Sequence, residues 1–120
     1  MGLSRPQKNL DTEICRFLDE QKAENIVVID LKEKSSIADS IIIASGLSQR
    51  HITALGEKLK EHLHKLGVHS IQIEGLPNSD WILVDAGDVI IHLFKPEVRE
   101  FYNIEKIWGA DFRFETRAML

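Results

Sequence analysis

The sequence predicts an α/β fold: a single domain with a mixed five-stranded sheet flanked by helices, in the order αββαβββα. Three observations predict it. Three segments carry apolar residues at helical spacing. Five short β-branched or alternating runs are interleaved with them. Gly, Ser and Asp punctuate the joins where caps and turns are needed.

Leu10, Ile14, Phe17, Leu18 and Gln21 make an amphipathic first helix over about residues 10–23. "NIVVIDL" and "SIIIAS" are too short for helices and read as buried strands, joined by the polar "KEKSSIAD". Gly46 ends the second strand and Ser48 is placed to cap the next helix. That helix has an apolar stripe of Ile52, Leu55, Leu59, Leu63 and Leu66, and Gly67 sits where a C′ glycine would stop it. "VHSIQIEG" alternates, with His69, Ile71 and Ile73 on one face of a half-buried strand. Two further strands lie in "SDWILVDAGDVIIHLF". Pro96 starts the last helix, with Val98, Phe101, Ile104, Glu105 and Trp108 near one side. Residues 1–110 form the domain, and 111–120 are a tail expected to be mobile or to dock a sheet edge.

The 120 residues are 43% apolar and 28% charged, an ordinary globular balance. No apolar run approaches the roughly 20 residues a membrane helix needs, so no membrane association is expected. The opening "MGLSRPQKNL" has no secretory signal core, and a lone Cys15 suits a reducing cytoplasm. Nineteen acidic residues outnumber fifteen basic ones, for a formal charge of −4. Nucleic-acid binders carry a basic stripe, so direct sequence-specific nucleic-acid binding is not expected. A basic protein partner suits the charge better.

The segment from Ser79 to Phe94 raises the functional question, because aspartates near a histidine can bind metal or move protons. Asp85, Ala86, Gly87 and Asp88 form its turn, Gly87 supplying the φ > 0 position. Two registers are open. A two-residue loop sets Leu83 opposite Ile90 and Trp81 opposite His92; a glycine bulge sets Trp81 opposite Ile91. In the first, Trp81, Leu83, Ile90 and His92 share a face and Ile82, Val84, Val89 and Ile91 the other. Helices cover one face. The other presents a tryptophan and aliphatics rimmed by Asp80, Asp85 and Asp88, the pattern of a protein-binding surface. A tryptophan buried in the core is the plainer alternative.

Searches for catalysis are weak throughout. His62 and His64 are two apart on a helix and point apart, and "EHLHKL" is not the zinc-protease spacing. His92 is better read as a histidine tucked against Trp81. "ASGLSQ" lacks the nucleophile elbow, and Ser45 and Ser48 read as strand end and helix cap. "IIIASGLSQRH" runs from strand to helix N-terminus with Arg50 in the first turn, a setting that favours anions but has no Walker lysine. Asp30 and Asp39 are the carboxylates a nucleotidyl-transfer enzyme would use, yet they form no D-x-D pair. No cofactor or metal is expected. In "REFYNIEKIW", helical spacing sets Arg99 near Tyr102 and Tyr102 near Glu105; Phe101 is expected on the sheet. Tyr102 and Trp108 suit an interface rim.

The set "SSIADSIIIASGLSQRH", Glu74-Gly75, "DWILVDAGDVIIHLF" and "REFYNIEKIW" resembles the ribosomal silencing factor, or Iojap-like, family over about residues 10–110. The W-x-x-x-D-x-G-D-x-x-x-H core is its most specific part. The resemblance implies a nucleotidyltransferase-like fold without the catalytic carboxylates and a non-enzymatic factor. Its partner would be a basic protein of the large ribosomal subunit, bound at the intersubunit face so that subunit joining is blocked when nutrients are scarce. Trp81, Leu83, Asp85, Asp88 and His92 fall in the family's motif strands, and Tyr102 and Trp108 in its C-terminal motif, so these seven are the expected ribosomal-protein-binding residues. Trp81 is the expected anchor. Ser40 departs from the pattern, since many relatives have an aromatic there. A phosphate-binding enzyme is the alternative function, and a homodimer using the same apolar face is a third arrangement.

Overall fold

The structure is a computed structural model and describes residues 7–33, 35–75, 80–108 and 112–113; for 7–9, 108 and 112–113 only the backbone is described. The elements are α1 (Gln7–Glu20), β1 (Glu24–Asp30), β2 (Ser40–Ser45), α2 (Gln49–Lys65), β3 (Gln72–Glu74), β4 (Trp81–Asp85), β5 (Val89–Phe94), α3 (Pro96–Tyr102), α4 (Ile104–Trp108) and β6 (Phe112–Arg113). All five expected strands form, in the order β3-β4-β5-β2-β1-β6. Only β2 and β5 run parallel; the other neighbours are antiparallel, so the sheet is mixed. The sixth strand, Phe112–Arg113, comes from the segment read as a tail and pairs with the sheet edge through Val27↔Arg113 and Val28↔Phe112.

The alternation of side chains along the strands builds two cores, one on each face. Ile42 and Ala44 of β2, Ile82 and Val84 of β4, and Val89, Ile91 and Leu93 of β5 face α1 and α2. Ile14 and Leu18 of α1 and Ile52, Leu55, Leu59 and Leu63 of α2 cover them. The opposite face gathers Val27, Ile29, Ile41, Ile43 and Phe94, closed by Leu31 and Ala38 and partly by Val98 and Ile104. Ser48 caps α2 as its sequence position implies, its side chain accepting from the His51 N–H, which contributes about 1 kcal/mol. Gly67 lies past the helix end at φ +96, a left-handed position that suits glycine.

Three expectations need correction. The strand in "VHSIQIEG" is only three residues long, Gln72–Glu74. The last helix is two. It breaks at Asn103, which sits at φ 47 and ψ 49, the left-handed region asparagine tolerates best after glycine. Finally, neither hairpin register is the observed one. Asp85 pairs with Ile90, Leu83 with His92 and Trp81 with Phe94. The Ala86 N–H donates to the Val89 carbonyl at 3.0 Å, so the loop is Gly87-Asp88, with Gly87 at φ +88 as its first residue. Moving the turn one residue along shifts the pairing by two. Because the side-chain period is also two, Trp81, Leu83, Ile90 and His92 still share one face.

Candidate protein-binding face

The open face of the hairpin is organised around Trp81. This residue starts β4 and is half-buried. Its indole N–H donates to His92 Nδ1 at 2.9 Å, diagonally across the β4–β5 pair. Its ring lies 4.8 Å from that of Phe94 and 4.9 Å from that of Tyr102, both tilted, within the range where aromatic pairs attract. His92 stacks in turn on Phe94, at 6.0 Å and 13°. Phe94 is fully buried and forms the floor. Phe101 meets Tyr102 edge-on at 5.0 Å. The result is an aromatic ladder rising from the sheet to solvent.

His92 is 9% exposed, and burial pushes its pKa down from 6.5 to about 4. The imidazole is therefore neutral at pH 7 with Nδ1 as acceptor, which the Trp81 hydrogen bond requires. His92 thus keeps little exposed surface of its own, and its hydrogen bond holds the Trp81 indole. The reading of His92 as a histidine tucked against Trp81 holds.

The solvent side of the ladder is apolar. Tyr102 is 50% exposed and Phe101 80%. Ile107, on α4, is 70% exposed. The expectation that Phe101 packs on the sheet is wrong, and the reason is the break at Asn103. With α3 ending at Tyr102, Val98 and Ile104 take the inward positions and Phe101 turns out.

Leu83, opposite His92 and half-buried, borders the ladder. The two aspartates sit elsewhere. Asp85 lies four residues along β4 from Trp81, roughly 13 Å away in an extended chain. Its Oδ1 accepts the Gly87 N–H at 2.9 Å, a turn-forming bond. Asp88 is exposed in the turn, and its carbonyl accepts the Asp39 N–H at 2.8 Å. Asp80 is the acidic residue beside Trp81, held by Gln49 at 2.7 Å and facing Lys95 at 3.9 Å. The structure thus brings together Trp81, His92 and Tyr102, with Leu83 beside them. Asp85 and Asp88 are at the far end of the hairpin. The side chain of Trp108 lies outside the described residues.

Sequence reasoning missed Phe94 and placed Phe101, Arg99 and Glu105 differently, Phe101 on the sheet and the other two beside Tyr102. Phe94 was legible as the residue two beyond His92 on the same strand face. The Arg99 guanidinium forks onto Glu105, Nε to Oε1 at 3.0 Å and Nη2 to Oε2 at 2.9 Å, and Nη1 donates to Ser45 Oγ at 2.8 Å. A spacing of six is not a helical pair, so this contact is created by the break at Asn103.

The loop that looks half like a phosphate cradle uses its own donors. The Leu47 N–H goes to His51 Nδ1 at 2.9 Å, and the Gly46 N–H to the Phe94 carbonyl at 2.8 Å. Ser48 Oγ and the Ser48 carbonyl accept from His51 and Ile52. Among the described residues, no three His, Cys, Asp or Glu side chains gather closely enough to hold a metal ion.

Comparison with known proteins supplies the family. The model of the family described as "Ribosomal silencing factor during starvation" matches residues 4–118. A ribosomal silencing factor of Zymomonas mobilis is 53% identical over 114 residues, covering 88% of this chain and 86% of its own. The mouse protein named "Mitochondrial assembly of ribosomal large subunit protein 1" is 37% identical over 98 residues, covering 79% of this chain and 43% of its own. A crystal structure of a Chromobacterium violaceum protein superposes with a TM-score of 0.84 at 32% identity, covering 89% of each chain. With nearly the whole chain matched, its fold shared and its W-x-x-x-D-x-G-D-x-x-x-H core intact on the hairpin, this chain belongs to the ribosomal silencing factor family.

Proposed function

We propose that this protein binds the large ribosomal subunit through a basic ribosomal protein at the intersubunit face, and that the bound domain sterically blocks joining of the small subunit. Translation is thereby repressed under nutrient limitation, in the cytoplasm. The family supports a role in ribosome silencing, and the name of the mouse relative connects it to the large subunit. The observation that carries the reading is the aromatic ladder: Phe101 and Tyr102 exposed over a half-buried Trp81 whose one polar atom is already hydrogen-bonded. A ring surface that needs no further polar partner is suited to burial against a protein, and buried Trp and Tyr dominate such interfaces. The net charge of −4 favours a basic partner and raises the rate of encounter with it.

The mechanism needs no chemistry. Occupancy of the site that the small subunit must approach is sufficient, so inhibition follows binding one for one. Asp85 and Asp88 lie far enough along the hairpin to pair with basic groups at the margin of the contact rather than at its centre.

Titrating purified protein into separated subunits and sedimenting the mixture tests this reading. Joined ribosomes decrease in proportion to the protein bound to large subunits. Undiminished joining at saturating protein would sink the proposal. In the loop that the enzymatic alternative requires, the Gly46 and Leu47 amides are already hydrogen-bonded within the protein.

A further inference from the structure

Arg99 is 8% exposed, which a guanidinium tolerates only when its charge is paired. The pairing here spans three elements. Arg99 belongs to α3, Glu105 to α4, and Ser45 to the end of β2. The bidentate fork closes across the elbow at Asn103, whose N–H donates back to the Arg99 carbonyl at 2.7 Å. All three guanidinium nitrogens are engaged within the protein, and the side chain keeps little exposed surface of its own.

The two helices it joins cannot hold themselves. They have seven and five residues, well below the length at which isolated helices are stable. Apart from Arg99, the apolar side chains they pack inward, among the described residues, are the half-buried Val98 and Ile104. Tyr102 is one helical turn beyond Arg99, at the last residue before the elbow, and its ring rests on Trp81. The orientation of Tyr102 thus depends on what fixes the elbow.

We propose that Arg99 is a positioning residue for the ribosome-binding surface: its fork onto Glu105 clamps the α3–α4 elbow and thereby holds Tyr102 against Trp81. The binding part rests on the functional reading above; the clamp itself does not. Arg99 makes no contact with the partner and acts through Tyr102. Lysine at this position keeps the charge but loses the fork, since an ammonium is a point donor.

The chain has a single tyrosine, so 3-fluorotyrosine labelling gives one fluorine resonance that reports Tyr102 alone. Arg99→Lys, and Glu105→Gln from the other side of the fork, are each expected to move that resonance as far as Trp81→Ala does, with unfolding still cooperative. Both are expected to weaken binding to purified large subunits roughly tenfold. In a Tyr102→Ala background, Arg99→Lys should weaken it no further, because the two act as one unit. A fluorine resonance unmoved by both substitutions overturns the clamp. Full additivity with Tyr102→Ala overturns the claim that Arg99 acts through it. Wild-type protein that fails to bind large subunits overturns the functional reading instead, a result separable from the fluorine signal, which is recorded on the free protein.

Discussion

Trp81 and His92 are joined by an indole-to-imidazole hydrogen bond of 2.9 Å between residues that are not cross-strand partners, since Trp81 lies opposite Phe94 and His92 opposite Leu83. The bond makes a buried histidine's protonation state part of the geometry of the proposed anchor. It also sets a pH dependence. The folded pKa of His92 is lowered to about 4 against an ordinary 6.5, so below pH 6.5 the unfolded chain takes up a proton that the folded one refuses. Stability from this group is intact above pH 6.5, falls as pH drops, and levels off below about pH 4. By pH 4.5 the loss approaches about 2–3 kcal/mol as an upper bound. Urea unfolding of wild type and His92→Gln at about pH 7 and about pH 4.5 checks it, because other carboxylates titrate in both proteins. The wild type should lose more stability than the variant by about that amount; equal losses would contradict the assignment.

The entry to α2 leaves no room for a side chain at residue 46. A Cβ on Gly46 would lie 2.9 Å from Ile52 Cγ1 and 3.3 Å from His51 Nδ1. Ile52 is fully buried and cannot step aside. Gly46→Ala should therefore cost about 1–3 kcal/mol, read as a lower urea midpoint at unchanged slope. An unchanged midpoint would mean that the loop relaxes freely.

Cys15 is buried on α1, and burial, with the nearby Asp11 carboxylate, pushes its pKa up to about 12. Thiolate is the reactive form, so the native thiol should resist a thiol reagent near pH 8 and react fully in denaturant. Labelling of the native protein at the rate of a free thiol would show that α1 opens readily.

Ser40 opens β2 and is buried. Its hydroxyl donates to Asp11 Oδ1 at 2.8 Å, tying the start of β2 to α1. Ser40→Ala should cost about 1 kcal/mol in urea unfolding. No change in midpoint would mean that this tie adds nothing to stability.

Much of the fold is legible because its signals are periodic. The α2 stripe, its Ser48 cap and the two-sided apolar strands follow from spacing alone, and the shared face of Trp81 and His92 survives even though the hairpin turn falls one residue later than the expected two-residue loop. What was not legible depends on a single backbone choice at Asn103. Read as one helix, residues 96–108 turn Phe101 inward and pair Arg99 with Tyr102. Broken there, they expose Phe101 and pair Arg99 with Glu105. The cue is present, an asparagine between a tyrosine and a new apolar residue, but a helical interior competes with it. The shortness of β3 was equally hidden, since alternation marks a face and not the reach of the pairing.

The most direct measurement is the affinity of wild type and Trp81→Ala for purified large subunits, with circular dichroism of the free proteins recorded alongside. The account predicts a variant that keeps its native spectrum and binds about 2 kcal/mol or more weakly, some 30-fold or more. A folded variant that binds as tightly as wild type, or one that no longer folds, would contradict Trp81 as the anchor.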